Sequence, residues 1–306
     1  MSGGLIGCAV GYAARRGRLC TFGALEDAFV AGDFRRLKVL AVALATALFC
    51  VQALLVSGWL APQSIRYLPQ ALPWLSMGLG GLMFGFGMAL VGTCAFGSLV
   101  RLGGGDLRSL VTIIVYAVAA LAIMRGGLVP FRLFVLEGQR FAMPGGVQAE
   151  LPALLSWLAG FKLRLGVAAL CGLALVAWAL SRRELFQTPR LLIAGVVVGL
   201  GVGAAWLVTG VLVDQVSLIY APEGLGFVGP VANALQALAL QSDAAWTFGT
   251  ATVAGTVIGS AMASILHDEF RWEAFDDQHE MRRHIFGGAI MGLGGVMAGG
   301  CTIGQG

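Results

Sequence analysis

The chain has 306 residues, 58% of them hydrophobic and 12% charged, with a mean hydropathy of +0.85. That balance excludes a water-soluble globular domain and fits a polytopic membrane protein. The net charge is only +4, with basic residues gathered at the ends of apolar runs, and nothing in it points to nucleic-acid binding.

A helix needs about 20 mostly apolar residues to cross a bilayer. Taken in order, runs 37–59, 75–91, 107–124, 161–180, 191–213, 244–266 and 285–300 qualify. Shorter apolar stretches at 5–13, 128–136 and 151–158 read as half-helices, re-entrant pieces or ends of further spans. The expectation is an all-α polytopic membrane protein of about seven to nine transmembrane helices, forming one membrane domain over residues 1–306. Run 5–13 has no basic segment before it, and Arg15, Arg16 and Arg18 follow it, so it does not read as a cleavable signal peptide. Basic residues at 15–18, 35–38 and 182–190 read as cytoplasmic flanks, and 61–74 as an outward loop. The mixed-charge stretch 267–284 reads as a water-exposed connection whose three histidines are solvated rather than metal-bound.

One spaced motif, Gly-x3-Gly-x8-Cys-x2-Gly, occurs three times. Its copies are Gly7, Gly11, Cys20 and Gly23; Gly81, Gly85, Cys94 and Gly97; and Gly288, Gly292, Cys301 and Gly304. In the last two copies Gly80, Gly87 and Gly92 also fall on Gly287, Gly294 and Gly299. A repeat that holds glycines and a cysteine in step while its Leu, Met and Val drift is keeping a backbone shape and a thiol. A weaker copy carries Gly195 and Gly199, and the spacing puts its cysteine position at Val208. The glycine pairs taken alone read as helix packing.

The chain therefore divides into a first repeat half of about 1–125, a connector of about 126–190 and a second half of about 191–306. Each motif reads as a glycine-rich helix, a break at the cysteine, a short helical piece and a return span. Asp33 and Asp106, each after a glycine, read as helix caps. By analogy with the first two copies, a short helix and a further span are expected beyond Gly306. Duplicated halves of this kind are common in transporters, with the substrate site where the repeats meet.

Broken helices at membrane depth leave backbone N–H groups that favour anions, and such backbone is tolerated only when buried or lining a cavity. A neutral thiol adds a polarizable sulfur and a weak donor. Such a path suits a small, soft, sulfur-bearing anion. Cys20, Cys94 and Cys301 are the candidate path residues, with Gly23, Gly92, Thr93, Gly97, Gly300, Thr302 and Gly304 shaping the loops around them. Cys8, Cys50 and Cys171 lie outside the repeated position and read as small hydrophobes. Rival readings of the three repeated thiols are plain packing, a zinc site without any C-x2-C pair, and a thiol oxidoreductase. Glu26, Asp27 and Asp214 are the nearest carboxylates for ion coupling, with solvation at span ends as the competing role.

At Cys20-Thr-Phe-Gly-Ala-Leu-Glu-Asp, Gly-Thr-Cys94-Ala-Phe-Gly-Ser-Leu and Gly-Gly-Cys301-Thr-Ile-Gly-Gln-Gly the chain resembles the YeeE/YedE sulfur-transport family, over nearly its whole length. The resemblance implies a bacterial inner-membrane protein with an hourglass-like, inverted-repeat fold. It also implies import of a small inorganic sulfur anion, thiosulfate above all. Carried over, Cys20, Cys94 and Cys301 would pass the substrate along by transient contacts, with no cofactor, no metal and no enzymatic step. Membrane lipid and a TusA-like sulfur-carrier protein are the implied partners. The alternatives are a membrane persulfide relay and a transporter of related sulfur or selenium species.

Overall fold

The structure, a computed structural model, describes residues 2–60, 71–138, 140–142, 164–181, 185, 188–212, 223–240, 247–301 and 303. The first motif unit runs through α1 (Ser2–Arg16), α2 (Thr21–Glu26) and α3 (Arg35–Val56), with a π-helical turn, Asp27–Ala31, after α2. The second comprises α4 (Trp74–Val91), α5 (Ala95–Gly103) and α6 (Leu107–Met124). A π-helical turn, Phe131–Leu136, and the helix α7 (Arg164–Leu180) belong to the connector region. Then come α8 (Pro189–Leu207), its π-helical extension Val208–Leu212, α9 (Val228–Leu240), α10 (Phe248–Leu266) and α11 (Gln278–Met297). The described strands are two-residue pieces, β1 (Ala71–Leu72) and β2 (Phe141–Ala142), paired antiparallel.

Among the described residues five helical stretches are long and apolar enough to cross a membrane: Arg35–Val56, Trp74–Gly103, Leu107–Met124, Pro189–Val211 and Phe248–Leu266. Leu165–Leu180 is a shorter apolar helix. The protein is an all-α polytopic membrane protein. Large apolar side chains such as Leu82 on α4, Leu170 on α7 and Ile258 on α10 stay exposed, as a lipid solvent allows. The short stretch expected at 151–158 lies outside the described residues.

Glycine sets the closest approaches. A Cβ on Gly7 or Gly11 of α1 would stand 2.2 Å from the carbonyl oxygen of Thr252 or Thr256 on α10. In return, a Cβ on Gly255 or Gly259 would stand 2.2 and 2.0 Å from the carbonyls of Gly4 and Cys8. The contacts climb together along both helices, so α1 and α10 run parallel, backbone against backbone. The same parallel seat recurs twice. Gly195 and Gly199 of α8 receive the carbonyls of Val39 and Ala43 on α3, and Gly288 and Gly292 of α11 receive those of Thr112 and Tyr116 on α6.

The second motif departs from this pattern. No described atom comes within 4 Å of a Cβ placed on Gly81 or Gly85. The packing glycines of α4 are its neighbours on another face. A Cβ on Gly87 would meet the Gly287 carbonyl at 2.7 Å, and one on Gly294 would meet the Gly80 carbonyl at 2.7 Å. Gly80 corresponds in the repeat to Gly287, and Gly87 to Gly294. Interchanging the copies maps one contact onto the other, which is the mark of a local two-fold axis between antiparallel helices.

Of the two expected aspartate caps, Asp106 holds the cap position and Asp33 does not. Asp106 caps α6, its Oδ1 accepting from the Arg108 N–H at 3.0 Å. Asp33 lies one residue before the cap position of α3 and accepts from the Arg35 N–H at 2.9 Å. The histidines divide. His267 and His279 are exposed, but His284, expected to be solvated, is buried on α11 with its Nδ1 2.9 Å from the Thr112 Oγ1. It sits one helical turn before Gly288 on the face that α11 turns to α6, and so is carried inward.

Candidate functional site

Cysteine in this motif is a helix cap. Cys20 and Cys94 have extended backbone and immediately precede the short helices α2 and α5. The Gly23 N–H donates to the Cys20 Sγ at 3.5 Å, and the Gly97 N–H to the Cys94 Sγ at 3.4 Å. The first turn of a helix leaves N–H groups without intrahelical partners, and here sulfur takes one of them in place of the usual oxygen. The constant two-residue gap between cysteine and glycine is the geometry of that cap. These glycine N–H groups therefore serve the thiols.

The loops bring the thiols together. Cys94 and Cys301 are each 2% exposed and Cys20 is half-buried. Cys94 lies near enough to both Cys20 and Cys301 to interact with them electrostatically, and the Thr21 side chain hydrogen-bonds it. The buried Thr93 places its Oγ1 3.5 Å from the Cys20 Sγ. Thus α1, α4 and α11, far apart in sequence, end at one cluster with Cys94 at its centre. All six cysteines are unbridged, and the other three lie apart from this cluster. The Cys8 thiol reaches Met262, Cys50 packs on Gly203, and Cys171 is exposed.

Each helix leading into a cysteine ends in a left-handed residue two positions before it. These are Arg18 (φ 46°), Gly92 (φ 75°) and Gly299 (φ 84°). Glycine takes this conformation freely, while an L side chain there costs on the order of 1 kcal/mol. Gly300 also has positive φ. Thr302 and Gly304 lie outside the described residues. Gly97 is needed for space, because a Cβ there would stand 2.2 Å from the Thr93 Oγ1. Gly23 is roomier, its nearest neighbour being the Arg36 Nη1 at 3.3 Å.

The fourth unit position differs from the expectation at Val208. Val208 opens a π-helical continuation of α8 and makes no cysteine-like break. The short helix α9 instead follows Gly226-Phe227, and Gly226 to Gly229 keeps the Cys-x2-Gly spacing with glycine in the cysteine's place. The segment before this break is longer than in the other units, so counting from Gly199 stops short. Phe227 is fully buried there, its ring 4.8 Å from that of Phe96, two residues after Cys94.

Two features of the site lay beyond the motif. Tyr116 on α6 is fully buried beside Cys94 and Cys301, and its hydroxyl has no hydrogen-bond partner among the described residues. A tyrosine in mid-span, away from the membrane interface where it is usual, was the available signal. The second is a cavity of about 510 Å³ that opens over Cys20, Thr93 and Gly97. Its wall carries Arg15, Arg18, Arg36, Arg101 and Arg271 against Asp268 and Glu269. Arg15 is held by the Glu269 carbonyl at 3.2 Å, Arg36 by Asp27 at 3.2 Å, and Arg101 by the Gly92 carbonyl at 3.0 Å. Asp27 is thus an ion-pair partner and Glu26 is exposed, while Asp214 lies outside the described residues.

Helices that cross a bilayer, buried thiols at their breaks and a basic mouth above them define a membrane transport protein. The family model described as "Sulphur transport" matches residues 16–306, and the chain belongs to that family. Among its relatives are two proteins named as thiosulfate transporter TsuA. The one from Escherichia coli (strain K12) is 30% identical over 323 residues, covering 100% of this chain and 86% of the relative. The one from Spirochaeta thermophila is 26% identical over 316 residues, covering 99% and 89%. Both relatives carry transporter names, in keeping with a protein that is not an enzyme.

Proposed function

We propose that the protein is a permease of the bacterial inner membrane that imports thiosulfate past Cys20, Cys94 and Cys301. The observation that carries this reading is the convergence of the three repeat-equivalent thiols, two buried and one opening on an arginine-walled cavity. Two relatives named for thiosulfate support the choice of anion. Thiosulfate carries its charge on oxygens and on a soft terminal sulfur. Neutral S–H groups and the Thr93 and Tyr116 hydroxyls can donate to it without the repulsion that thiolates would exert. Gly92, Gly97 and Gly300 keep the loops tight enough to hold the thiols at the path. The halves 1–125 and 191–306 pack as inverted units in this reading, and the arginines at the cavity mouth favour a cytoplasmic position for it. A TusA-like carrier would receive the product there, with lipid around the rest.

The test is thiosulfate-dependent growth and uptake in a bacterium that lacks its own thiosulfate import. Cys20→Ala, Cys94→Ala and Cys301→Ala are each expected to lower uptake at least about tenfold, the scale of one lost charge-assisted contact. Cys8→Ala, Cys50→Ala and Cys171→Ala at equal expression should leave it intact. Uptake unchanged in the triple variant would overturn the reading. A stable added sulfur on one of the three thiols, read by mass, would assign the persulfide relay instead.

A further inference from the structure

Arg18 breaks a local rule that its two counterparts obey. Gly92 and Gly299 occupy the same station two residues before a path cysteine, and all three share the left-handed backbone. Glycine would serve at residue 18 without strain, so what the arginine adds there is its side chain. Arg18 is exposed, and its guanidinium makes no hydrogen bond or ion pair with the described residues. Of its neighbours on the cavity wall, Arg15, Arg36 and Arg101 are engaged, while the Arg271 side chain, like that of Arg18, has no hydrogen-bond or ion-pair partner among the described residues. The wall carries more arginines than carboxylates, and the Cys20 thiol lies in the same cavity.

We propose that Arg18 is an anion-holding residue of this mouth, gripping sulfonate oxygens while the terminal sulfur of the same ion meets Cys20. The identity of the ion rests on the thiosulfate reading above. A guanidinium is a planar fork that fits two oxygens of an oxyanion, whereas the S–H of Cys20 and the hydroxyl of Thr93 suit the larger, softer sulfur. The ion is thereby turned with its sulfur toward Cys94 and its oxygens toward the arginines. Sulfate offers the oxygens but no soft end, so it occupies the mouth without engaging the thiol.

The test uses purified full chain in detergent, where both mouths are open. Cys20 is modified by an anionic and by a cationic methanethiosulfonate reagent of similar size, and each rate is read by peptide mass. The anionic reagent is expected to react faster at low salt. Arg18→Gly, which installs the residue of the other two loops, should cut that preference about three- to tenfold, as should high salt. Arg18→Lys should keep most of it. The thermal midpoint of Arg18→Gly should match or exceed that of the parent, and thiosulfate should shield Cys20 in the parent but much less in Arg18→Gly. An unchanged reagent preference and unchanged shielding in folded Arg18→Gly would overturn the proposal. Loss of preference in Arg18→Gly without thiosulfate uptake by the parent would uphold the anion site and overturn the choice of ion.

Discussion

Gly23 and Gly97 hold the same place in their loops, and each gives its N–H to the sulfur three residues before it. Their surroundings differ. A methyl group on Gly97 would run into Thr93 at 2.2 Å, whereas on Gly23 it would meet the movable end of Arg36 at 3.3 Å. Gly97→Ala should therefore cost about 1–3 kcal/mol of stability, as overpacking does, and lower uptake with it. Gly23→Ala should be near neutral. Thermal unfolding in detergent beside an uptake assay checks both, and equal effects would show that the space around Gly97 does not set its cost. The thiols were legible in the sequence because their glycines recur at fixed spacing. Tyr116 and Thr21 were not, since their meaning depends on facing Cys94 from other helices. Arg18 stood in plain view in a basic flank, and only the structure separates it from Arg16, by its backbone angle, its place on the cavity wall and the pairing of Arg16 with Glu269.

At the scale of helices, the G-x3-G pairs do one job in three places and another in the fourth. Gly7, Gly11, Gly255 and Gly259 bring α1 and α10 to backbone contact, so Gly7→Val or Gly259→Val forces the two helices apart. Either change should abolish a folded monodisperse product in size-exclusion chromatography. Gly81→Val on α4 should leave it intact, because no described atom lies within 4 Å. Spacing alone could not tell these cases apart, as a glycine that packs and a glycine that faces the membrane are written with the same letter. The breaks at the three cysteines were legible, as was the cap at Asp106. The one misplaced break, Val208 for Gly226-Phe227, came from assuming equal segment lengths.

For the molecule as a whole, composition was enough to call a helical membrane protein, since a chain so poor in charge has no other solvent. The two-fold contact between α4 and α11 makes a further prediction. Gly87 and Gly287 meet each other, so Gly87→Ala and Gly287→Ala should destabilise by similar amounts. The double variant should fall short of their sum by about 0.5 kcal/mol or more, because both remove the same close approach. Strict additivity by thermal unfolding would mean that the two glycines act separately.

The thiol-free break at Gly226-Phe227 has a consequence for the direction of flow. A passage whose two ends were interchangeable would have no preferred sense, and its traffic would be set only by the concentrations on either side. In the proposed path, with sulfur in three of four breaks and the buried Phe227 at the last, the two approaches would present unequal landing points to the same ion. Rates of entry from the two sides can then differ, while their ratio to the rates of exit stays fixed by equilibrium. In the proposed passage this asymmetry by itself drives no net accumulation, which needs a source of free energy in addition.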